Sequence, residues 1–236
     1  MESKRFLSTY PKPIDTAMTD KGAPLAPQEM MAQAVEGYLD EHGATHAGVG
    51  WFREEQVAAR YRAMMELIPP KVRDGCTVLD FGCGAAHFLE FLQQAGLTAI
   101  NYTGLDISPR LLGLARSKYP ERRFIKQDVL KSDSDPGHFD FIVMNGIFTQ
   151  KLSLAEEDML EYMQRLLARL WPLCKQGLAF NVMSRHVDWE RDDLFHASMD
   201  AVTRIVVNTL SRHFVIRHDY GLYEYSVYVY RKPLTD

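Results

Sequence analysis

The sequence predicts an α/β protein with a Rossmann-like sheet that is mostly parallel, carries helices on both faces and ends in an antiparallel strand. Three observations lead to this fold class. Short apolar runs alternate with helical patterns between residues 77 and 183, as in sheets built from parallel strands and crossover helices. Several of these runs end at an acid. Near the C-terminus, two strand-like runs stand so close together that they must pair antiparallel.

The first strand, turn and helix of this domain are predicted from Thr77 to Gln94. The apolar run that begins there suits a buried parallel strand, and Asp80 stands where that strand leaves the sheet. Gly82 and Gly84 lack a Cβ atom, so the backbone can turn sharply and approach a ligand closely. The apolar positions that follow recur on one side of a helix. The helix is therefore expected to begin beside a ligand.

The residue at position 87 argues against a dinucleotide. A Gly-x-Gly-x-x-Gly motif counted from Gly82 needs glycine at position 87, where helix and strand pack closely and a pyrophosphate binds. This chain has His87 instead. The bulky ring disfavours NAD and FAD, although the turn still suits a nucleoside-bearing cofactor.

The remaining elements are predicted from the same patterns. Two helices, from Pro27 to Glu41 and from about Glu54 to Leu67, precede the sheet. The later strands are predicted at Tyr102–Ser108, Arg123–Leu130, His138–Ile147, Gly177–Met183, Phe214–Tyr220 and Tyr223–Arg231, and the later helices at Arg110–Tyr119, Leu154–Trp171 and Leu194–Arg212. A very short turn at Gly221-Leu222 is expected to join the last two strands.

Polar residues stand at or just after the ends of four predicted strands, namely Asp80, Asp106, Asp128 and Asn145. Ligands in open α/β sheets bind beyond the carboxyl ends of the strands, near the switch in strand order. We therefore expect these four side chains to form one rim. Asp106 lies 24 residues after Gly82, close to the separation at which an acid accepts hydrogen bonds from ribose hydroxyls in nucleotide folds.

The run from Asp80 to Gly84, DFGCG, resembles the first motif of class I S-adenosylmethionine-dependent methyltransferases. The resemblance covers roughly residues 74 to 232. It implies a seven-stranded sheet, N-terminal helices over the cofactor cleft, and S-adenosylmethionine as the cofactor, with S-adenosylhomocysteine as product. The run from Tyr220 to Lys232, together with residues 145–148 and 177–184, is also similar to a bacterial subgroup associated with surface-polysaccharide or small-molecule modification.

The resemblance implies how the methionyl end of the cofactor binds. Asp80 would balance the methionyl ammonium, directly or through water. The backbone of Gly82, Cys83 and Gly84 would pass beside the methionyl carboxylate. Asp106, whose spacing already points to ribose, would hold the ribose hydroxyls.

The same resemblance implies how the adenine and the sulfonium are held. Asp128 would accept a hydrogen bond from the adenine amino group, while Val129 and Ile107 would flank the ring. Asn145 and Gly146 would border the reactive sulfonium.

Candidates for catalysis and substrate binding follow from residue type and position. Methyl transfer from a sulfonium is an in-line displacement, in which proximity and alignment supply much of the acceleration. A base is needed only if the acceptor atom carries a proton; His186 after the fifth strand is the first candidate and His87 the second. The alternative for either is an exposed or structural histidine. Trp51, His196 and Glu224 are candidate substrate contacts. Core packing is the alternative for Trp51 and Glu224, whereas His196 is also a candidate base by residue type and has an exposed or structural histidine as its alternative.

Composition and charge narrow the class further. At 236 residues, the default is an irregular arm at 1–26 and a single domain at 27–236, with a helical cap at 27–70 and a Rossmann-like core at 74–232. The formal charge of −4 gives no general reason to bind nucleic acid or a membrane. No run suits a signal peptide or a membrane span, and the three cysteines lack metal-ligand spacing. We expect a soluble, cytoplasmic protein without a metal site.

The sequence therefore predicts an enzyme that transfers a methyl group from S-adenosylmethionine to a small-molecule acceptor, at a hydroxyl of a sugar or other metabolite. One alternative is an N-methyltransferase that acts on an amine metabolite. A second is a non-catalytic S-adenosylmethionine-binding partner that regulates a larger assembly. A third is an RNA or protein methyltransferase, against which the acidic balance and the lack of an added recognition domain argue.

Overall fold

The centre of the fold is one twisted sheet. The computed structural model describes residues 25–234, so the irregular arm predicted at 1–26 falls almost wholly outside the described residues. The strands are β1 (Thr77–Phe81), β2 (Asn101–Asp106), β3 (Arg123–Lys126), β4 (Phe139–Phe148), β5 (Cys174–Ser184), β6 (His196–Ala197), β7 (Phe214–Arg217) and β8 (Glu224–Tyr230).

The strand order confirms the predicted fold class. Seven strands follow the order β3-β2-β1-β4-β5-β8-β7, and the two-residue β6 pairs with β5 beside this path. The first five strands pair parallel, whereas β8 pairs antiparallel with both β5 and β7. The short β6 is an addition to the seven strands that were expected.

Helices cover both faces of the sheet. Their bounds are α1 (Pro27–His42), α2 (Glu54–Met65), α3 (His87–Gln94), α4 (Pro109–Lys118), α5 (Glu156–Leu170) and α6 (Met199–Thr209). Residues of α2, α3 and α4 share one apolar cluster, and residues of α5 and α6 share the other. Among the helices of residues 25–234, none combines the length and the apolar character needed to cross a membrane.

The strand sequences explain why both faces are covered. Val78 and Leu79 are consecutive in β1, so their side chains leave the sheet on opposite faces. Val78 belongs to the cluster of α2, α3 and α4, and Leu79 to the cluster of α5 and α6. Phe141 and Ile142 in β4 divide in the same way. Continuous apolar runs therefore bury both faces, as is usual in parallel sheets.

Two strand boundaries differ from the predictions. β3 ends at Lys126 and not at Leu130, because Asp128 turns the chain by accepting a hydrogen bond from the Leu130 amide at 3.0 Å. The connection between β7 and β8 spans residues 218–223, which makes it longer than the expected two-residue turn. The antiparallel pairing of these two strands is nevertheless confirmed.

The single helix predicted from Leu194 to Arg212 is wrong at both ends. Its first residues instead form β6, which pairs with the end of β5. Helix α6 begins only after Ser198, whose hydroxyl accepts a hydrogen bond from the Ala201 amide at 3.2 Å. This side-chain cap satisfies one of the free amides at the helix start and fixes where the helix begins.

Phe180→Ala tests the central packing. Phe180 is fully buried in β5, where its ring meets Phe148 edge-on at 5.5 Å between centroids. The change should lower the free energy of unfolding by about 3–5 kcal/mol, because it removes apolar contacts and leaves a cavity. Urea unfolding followed by circular dichroism measures this loss. Val207→Ala, on the exposed side of α6, is the control and should change stability by no more than about 0.5 kcal/mol. Equal effects of the two changes would contradict this packing.

Candidate active site

A cleft lies beyond the carboxyl ends of β1, β2 and β4. It encloses about 1250 Å³, its open mouth included, and α1, the 47–51 segment and α2 supply the wall opposite the strand ends. The strand order changes direction between β1 and β4, which is where ligands bind in open α/β sheets. The residues predicted to bind the cofactor all line this cleft: Asp80, Gly82, Cys83, Gly84, Asp106, Ile107, Asp128, Val129, Asn145 and Gly146.

The loop after β1 needs its glycines. Gly82 has a φ of +74°, which residues with a side chain rarely adopt, and a Cβ atom there would lie 2.2 Å from Ile147 Cδ1, so Ile147 would have to move. Gly84 has a φ of +52°, and its amide donates to Asp106 at 2.8 Å. Between them, burial raises the pKa of the Cys83 thiol, which therefore stays protonated. The conformations of the two glycines and the hydrogen bond from Gly84 to Asp106 hold the loop against the end of β2.

Asp106 ends β2 and ties two loops together. One of its carboxylate oxygens accepts from the Gly84 amide and the other from the Ser108 amide, both at 2.8 Å. Burial raises the pKa of this carboxyl, and the hydrogen bonds from the backbone amides offset only part of that rise. A carboxylate oxygen has more than one lone pair, so Asp106 can also accept hydrogen bonds from a ligand.

Asp80 is a deeply buried acid in β1. It is 3% exposed, and Tyr102 in β2 donates its hydroxyl to Asp80 at 2.7 Å. Burial raises the pKa of Asp80 to about 7; the Tyr102 hydrogen bond opposes the rise, and the charge of Asp106 adds to it. Without a cation beside it, this carboxyl is therefore close to half protonated at neutral pH. A bound cation would favour its ionised form.

Asp128, in the turn after β3, meets the cap helix. Its Oδ1 accepts from the Leu130 amide and its Oδ2 accepts from Gln28 Nε2 in α1, each at 3.0 Å. Val129 beside it is buried, and Ile107 lines the cleft after β2. The cleft thus offers a hydrogen-bond acceptor together with apolar walls.

Polar contacts also fasten α1 across the mouth of the cleft. Three pairs join the helix to residues that follow β2 and β3: Glu36 with Ser108, Asp40 with Arg110 at the start of α4, and Glu29 with Lys131. Ser108 is buried, whereas the side chains of the two ion pairs are partly or fully exposed, so dissolved salt weakens these ion pairs.

Asn145 and Gly146 form a wall of the cleft near the end of β4. The Asn145 Oδ1 atom is buried and has no hydrogen-bond partner among the described residues; a ligand or water that donates a hydrogen bond would satisfy it. Gly146 has a φ of +86°, and its amide donates to Asn181 at 2.7 Å. A Cβ atom at position 146 would lie 2.7 Å from Trp51 Cζ2. Trp51 therefore packs directly against this wall.

His87 lies in the cleft wall at the start of α3. Its ring is tilted against the ring of His46, with 4.7 Å between centroids. Burial lowers the pKa of His87 to about 4, and the proximity of His46 lowers it further in the same direction. His87 is therefore neutral at physiological pH and has a ring nitrogen that can accept a proton.

The structure does not bring His186, His196 or Glu224 to the cleft. His186 is exposed in the loop after β5. His196 is buried in β6, where its Nδ1 lies 2.7 Å from the Ser184 carbonyl oxygen. Glu224 is 1% exposed and pairs with Arg60 at 2.9 Å. Direct contact of these three side chains with a ligand in the cleft does not fit their positions.

Several residues of the cleft were not singled out from the sequence: Gln28, Met31 and Val35 from α1, Tyr61 from α2, and Thr149 and Gln150 after β4. The helical spacing of Met31 and Val35 predicts only that they share an apolar face with their neighbours. The resemblance placed the N-terminal helices over the cleft, but the sequence carries no signal that selects these side chains within them.

The charge of the cleft wall suits a positively charged cofactor. Asp80, Asp106 and Asp128 line it, and no lysine or arginine of the described residues does so. The field of such a wall attracts cations and repels anions. S-adenosylmethionine carries both a sulfonium and an ammonium, so the donor and acceptor groups present fit this cofactor.

The chain is similar to known methyltransferases. Residues 78–172 match the model of the methyltransferase domain family. A Mycobacterium tuberculosis protein, provisionally named a methyltransferase, is 28% identical over 158 residues, covering 66% of this chain and 93% of that protein. The ribosomal protein L11 methyltransferase of Burkholderia thailandensis is 36% identical over 84 residues, 36% of this chain and 27% of that enzyme. Magnesium protoporphyrin IX methyltransferase from Synechocystis PCC 6803, solved with bound S-adenosylmethionine, has a TM-score of 0.59 at 15% identity, covering 86% of this chain and 97% of that one.

These similarities support the class that the sequence predicts. The matched residues 78–172 contain the first strand, the glycine loop and the acids of the rim. The protein is a class I S-adenosylmethionine-dependent methyltransferase, and S-adenosylmethionine is its cofactor.

Asp80→Asn tests the buried acid through the pH dependence of stability. Because the pKa of Asp80 is raised to about 7 in the folded protein, the stability that Asp80 contributes is fully present at acid pH, below its unfolded pKa of about 4, and is lost as the pH rises through 7. Asparagine still accepts from Tyr102 but cannot ionise. The free energy of unfolding of the variant, relative to the wild type, should therefore grow by at least about 1 kcal/mol between pH 4 and pH 8.

Asp140→Asn is the matched control for this measurement. Burial alone would raise the pKa of Asp140, but the hydrogen bonds from the Thr77 amide and hydroxyl outweigh burial and lower it. Its stability contribution is present at neutral pH and is lost as the pH falls, so the sign reverses. Urea unfolding at a series of pH values measures both. A difference between wild type and Asp80→Asn that is independent of pH would contradict the raised pKa.

Proposed function

We propose that this methyltransferase acts on a small-molecule acceptor, at a hydroxyl of a sugar or other metabolite. The observation that carries the proposal is that one cleft is lined both by the rim of acids and by Trp51, Tyr61 and His87, with Trp51 packed on Gly146. An acceptor can thus share the cleft with the cofactor.

The acids of the rim hold the adenosine part of the cofactor in this proposal. Asp106 accepts hydrogen bonds from the ribose hydroxyls with the lone pairs that the Gly84 and Ser108 amides leave free. Asp128 accepts from the adenine amino group, between the apolar side chains of Val129 and Ile107. Gln28 Nε2 already donates to Asp128 Oδ2. Gln28 therefore shifts slightly when the adenine amino group binds Asp128.

The methionyl part extends along the loop after β1. Asp80 ionises in response to the ammonium, since its raised pKa of about 7 makes it sensitive to a neighbouring cation. The backbone of Gly82, Cys83 and Gly84 passes beside the carboxylate. The wall of Asn145 and Gly146 then borders the sulfonium, and the buried Asn145 oxygen faces the positive charge as an acceptor.

Bound S-adenosylmethionine supplies an electrophilic methyl group on a positively charged sulfur. The chain's own contribution is to fix the acceptor in line with that methyl group and to exclude water from the cleft. Trp51 and Tyr61 provide rigid aromatic surfaces for positioning the acceptor. No further cofactor is required by this arrangement.

His87 is the residue that we propose as the base for a hydroxyl acceptor. It lines the cleft, whereas His186 does not. With a pKa lowered to about 4 by burial and by His46, His87 is unprotonated throughout the physiological range, but the same shift makes it a weaker base than an ordinary histidine. It would take the hydroxyl proton as the oxygen–carbon bond forms.

The charge of the cleft wall also bears on the acceptor. Three carboxyl groups without a lysine or arginine among the described lining residues disfavour phosphorylated or polyanionic acceptors. A neutral polyol and an amine both satisfy this constraint. N-methylation of an amine metabolite is therefore the second candidate, favoured by the same acids.

We also propose that residues 27–236 act as one domain. α2 shares its apolar cluster with α3 and α4, and α1 contributes side chains to the cleft. The helical cap and the sheet thus build the site together.

Transfer of labelled methyl groups tests the proposed acceptor class. The enzyme is incubated with methyl-labelled S-adenosylmethionine and a bacterial extract, which is then separated into small molecules, RNA and protein. We expect label in neutral or cationic small molecules.

Asp106→Asn should abolish most of this labelling and weaken S-adenosylhomocysteine binding, measured by calorimetry, about tenfold or more. Asp133→Asn, an exposed acid outside the cleft, is the control. Label confined to RNA, protein or phosphorylated metabolites would refute the proposal.

Substitution of the two histidines tests the base. His87→Gln should lower turnover of the labelled acceptor about 100-fold, because a general base typically contributes roughly 10²–10⁴-fold. Its S-adenosylhomocysteine affinity should stay close to that of the wild type. His186→Ala, at an exposed position away from the cleft, should retain both properties. Full turnover by His87→Gln would remove His87 from the mechanism and would favour an acceptor that is already deprotonated.

A further inference from the structure

A buried chain of polar contacts runs from the cap helix α2 to the wall of the cleft. Arg60 in α2 donates from Nε to Glu224 Oε2 at 2.9 Å. The other oxygen of Glu224 accepts from Asn181 Nδ2 at 3.0 Å, and Asn181 Oδ1 accepts from the Gly146 amide at 2.7 Å. Glu224 and Asn181 are 1% and 0% exposed. Each side chain in this chain therefore has defined partners on both sides.

The chain of contacts closes on itself through Trp51. The Arg60 guanidinium lies over the Trp51 ring at 4.2 Å from its centroid. The edge of the same ring packs on Gly146, where a Cβ atom would approach it to 2.7 Å. Gly146 is thus held from two sides, by the Asn181 amide group and by the Trp51 ring, and Arg60 with Glu224 connects the two holders.

We propose that Arg60 and Glu224 are positioning residues, which set the orientation of Trp51 against Gly146 and so shape the part of the cleft that receives the methionyl sulfonium. This inference rests on the proposed placement of the sulfonium beside Asn145 and Gly146. It gives Glu224 an indirect role in place of the direct substrate contact expected from the sequence.

The cost of burying these charges supports a positioning role. A buried ion pair loses the hydration of both ions, and well-packed apolar side chains often stabilise a fold at least as well. This pair joins segments 164 residues apart, one in the cap and one in the last strand of the sheet. The guanidinium plane also gives the Trp51 ring a fixed surface to stack on, which a flexible ammonium would not provide.

Paired ligands separate positioning from general support of the fold. S-adenosylhomocysteine contains the sulfur and the rest of the methionyl part, whereas adenosine lacks both. The double variant Arg60→Met/Glu224→Gln removes both charges together and keeps an amide oxygen to accept from Asn181. We expect its S-adenosylhomocysteine affinity to fall about tenfold, within the range of coupling between contacting residues. Its adenosine affinity should change less than about threefold.

Three further variants make the test decisive. Trp51→Phe should show the same selective loss, and adding it to the double variant should cause little further loss, because all three changes remove one arrangement. Arg60→Lys keeps a charge for Glu224 but loses the flat stacking surface. It should show the same selective loss, and it replaces the double variant in the test if the double variant does not fold. Arg231→Met is the matched control: Arg231 stacks on Trp171 at 4.1 Å, away from the cleft, so it should lower the melting temperature without altering the ratio of the two affinities.

The outcomes distinguish this inference from the proposed function. An unchanged S-adenosylhomocysteine affinity, or an equal loss for both ligands, in a folded Arg60 variant would overturn the positioning role while leaving the methyltransferase assignment intact. A wild-type protein that binds adenosine and S-adenosylhomocysteine equally well would instead overturn the placement of the methionyl part on which both rest.

Discussion

The buried carboxylate of Asp106 is the interaction on which the site depends. It receives the amide of Gly84 from one loop and the amide of Ser108 from the next. This pair of hydrogen bonds fixes the loop after β1 against the start of α4, and the glycines allow the close approach. The same carboxylate faces the cleft. The same carboxylate therefore holds the two loops and is available to a ligand. Hydrogen bonds from the loops and from the ligand together offset the energetic cost of burying it.

The fold was predictable because its cause is local. Val78 and Leu79, or Phe141 and Ile142, need only their apolar character and their alternation to imply a sheet that is buried on both faces. The positions of Asp80, Asp106 and Asp128 near strand ends follow from the same pattern. Boundaries were less predictable: β3 ends early because a side chain turns the backbone, and β6 exists only because β5 offers it an edge to pair with.

The contacts between the cap and the sheet were beyond sequence reasoning for a physical reason. Gln28 meets Asp128 across 100 residues, and Arg60 meets Glu224 across 164. Such pairs are formed by the tertiary fold. In the sequence, each partner looks like an ordinary exposed polar or charged residue. The sequence suggested direct substrate contacts for Glu224 and Trp51 and offered no means of finding Arg60, which contacts both of them.

The polar contacts of α1 carry a kinetic consequence. The helix lines the cleft, and its partners are Ser108 and Arg110 after β2 and Lys131 after β3. Separation of part of this helix from these partners would widen the entrance through which the nucleoside exchanges. If chemistry is fast, the frequency of that separation limits the steady-state rate, as it does in many enzymes with a mobile cover. Ionic strength would then change the steady-state rate by weakening the ion pairs of α1, without affecting the reacting atoms.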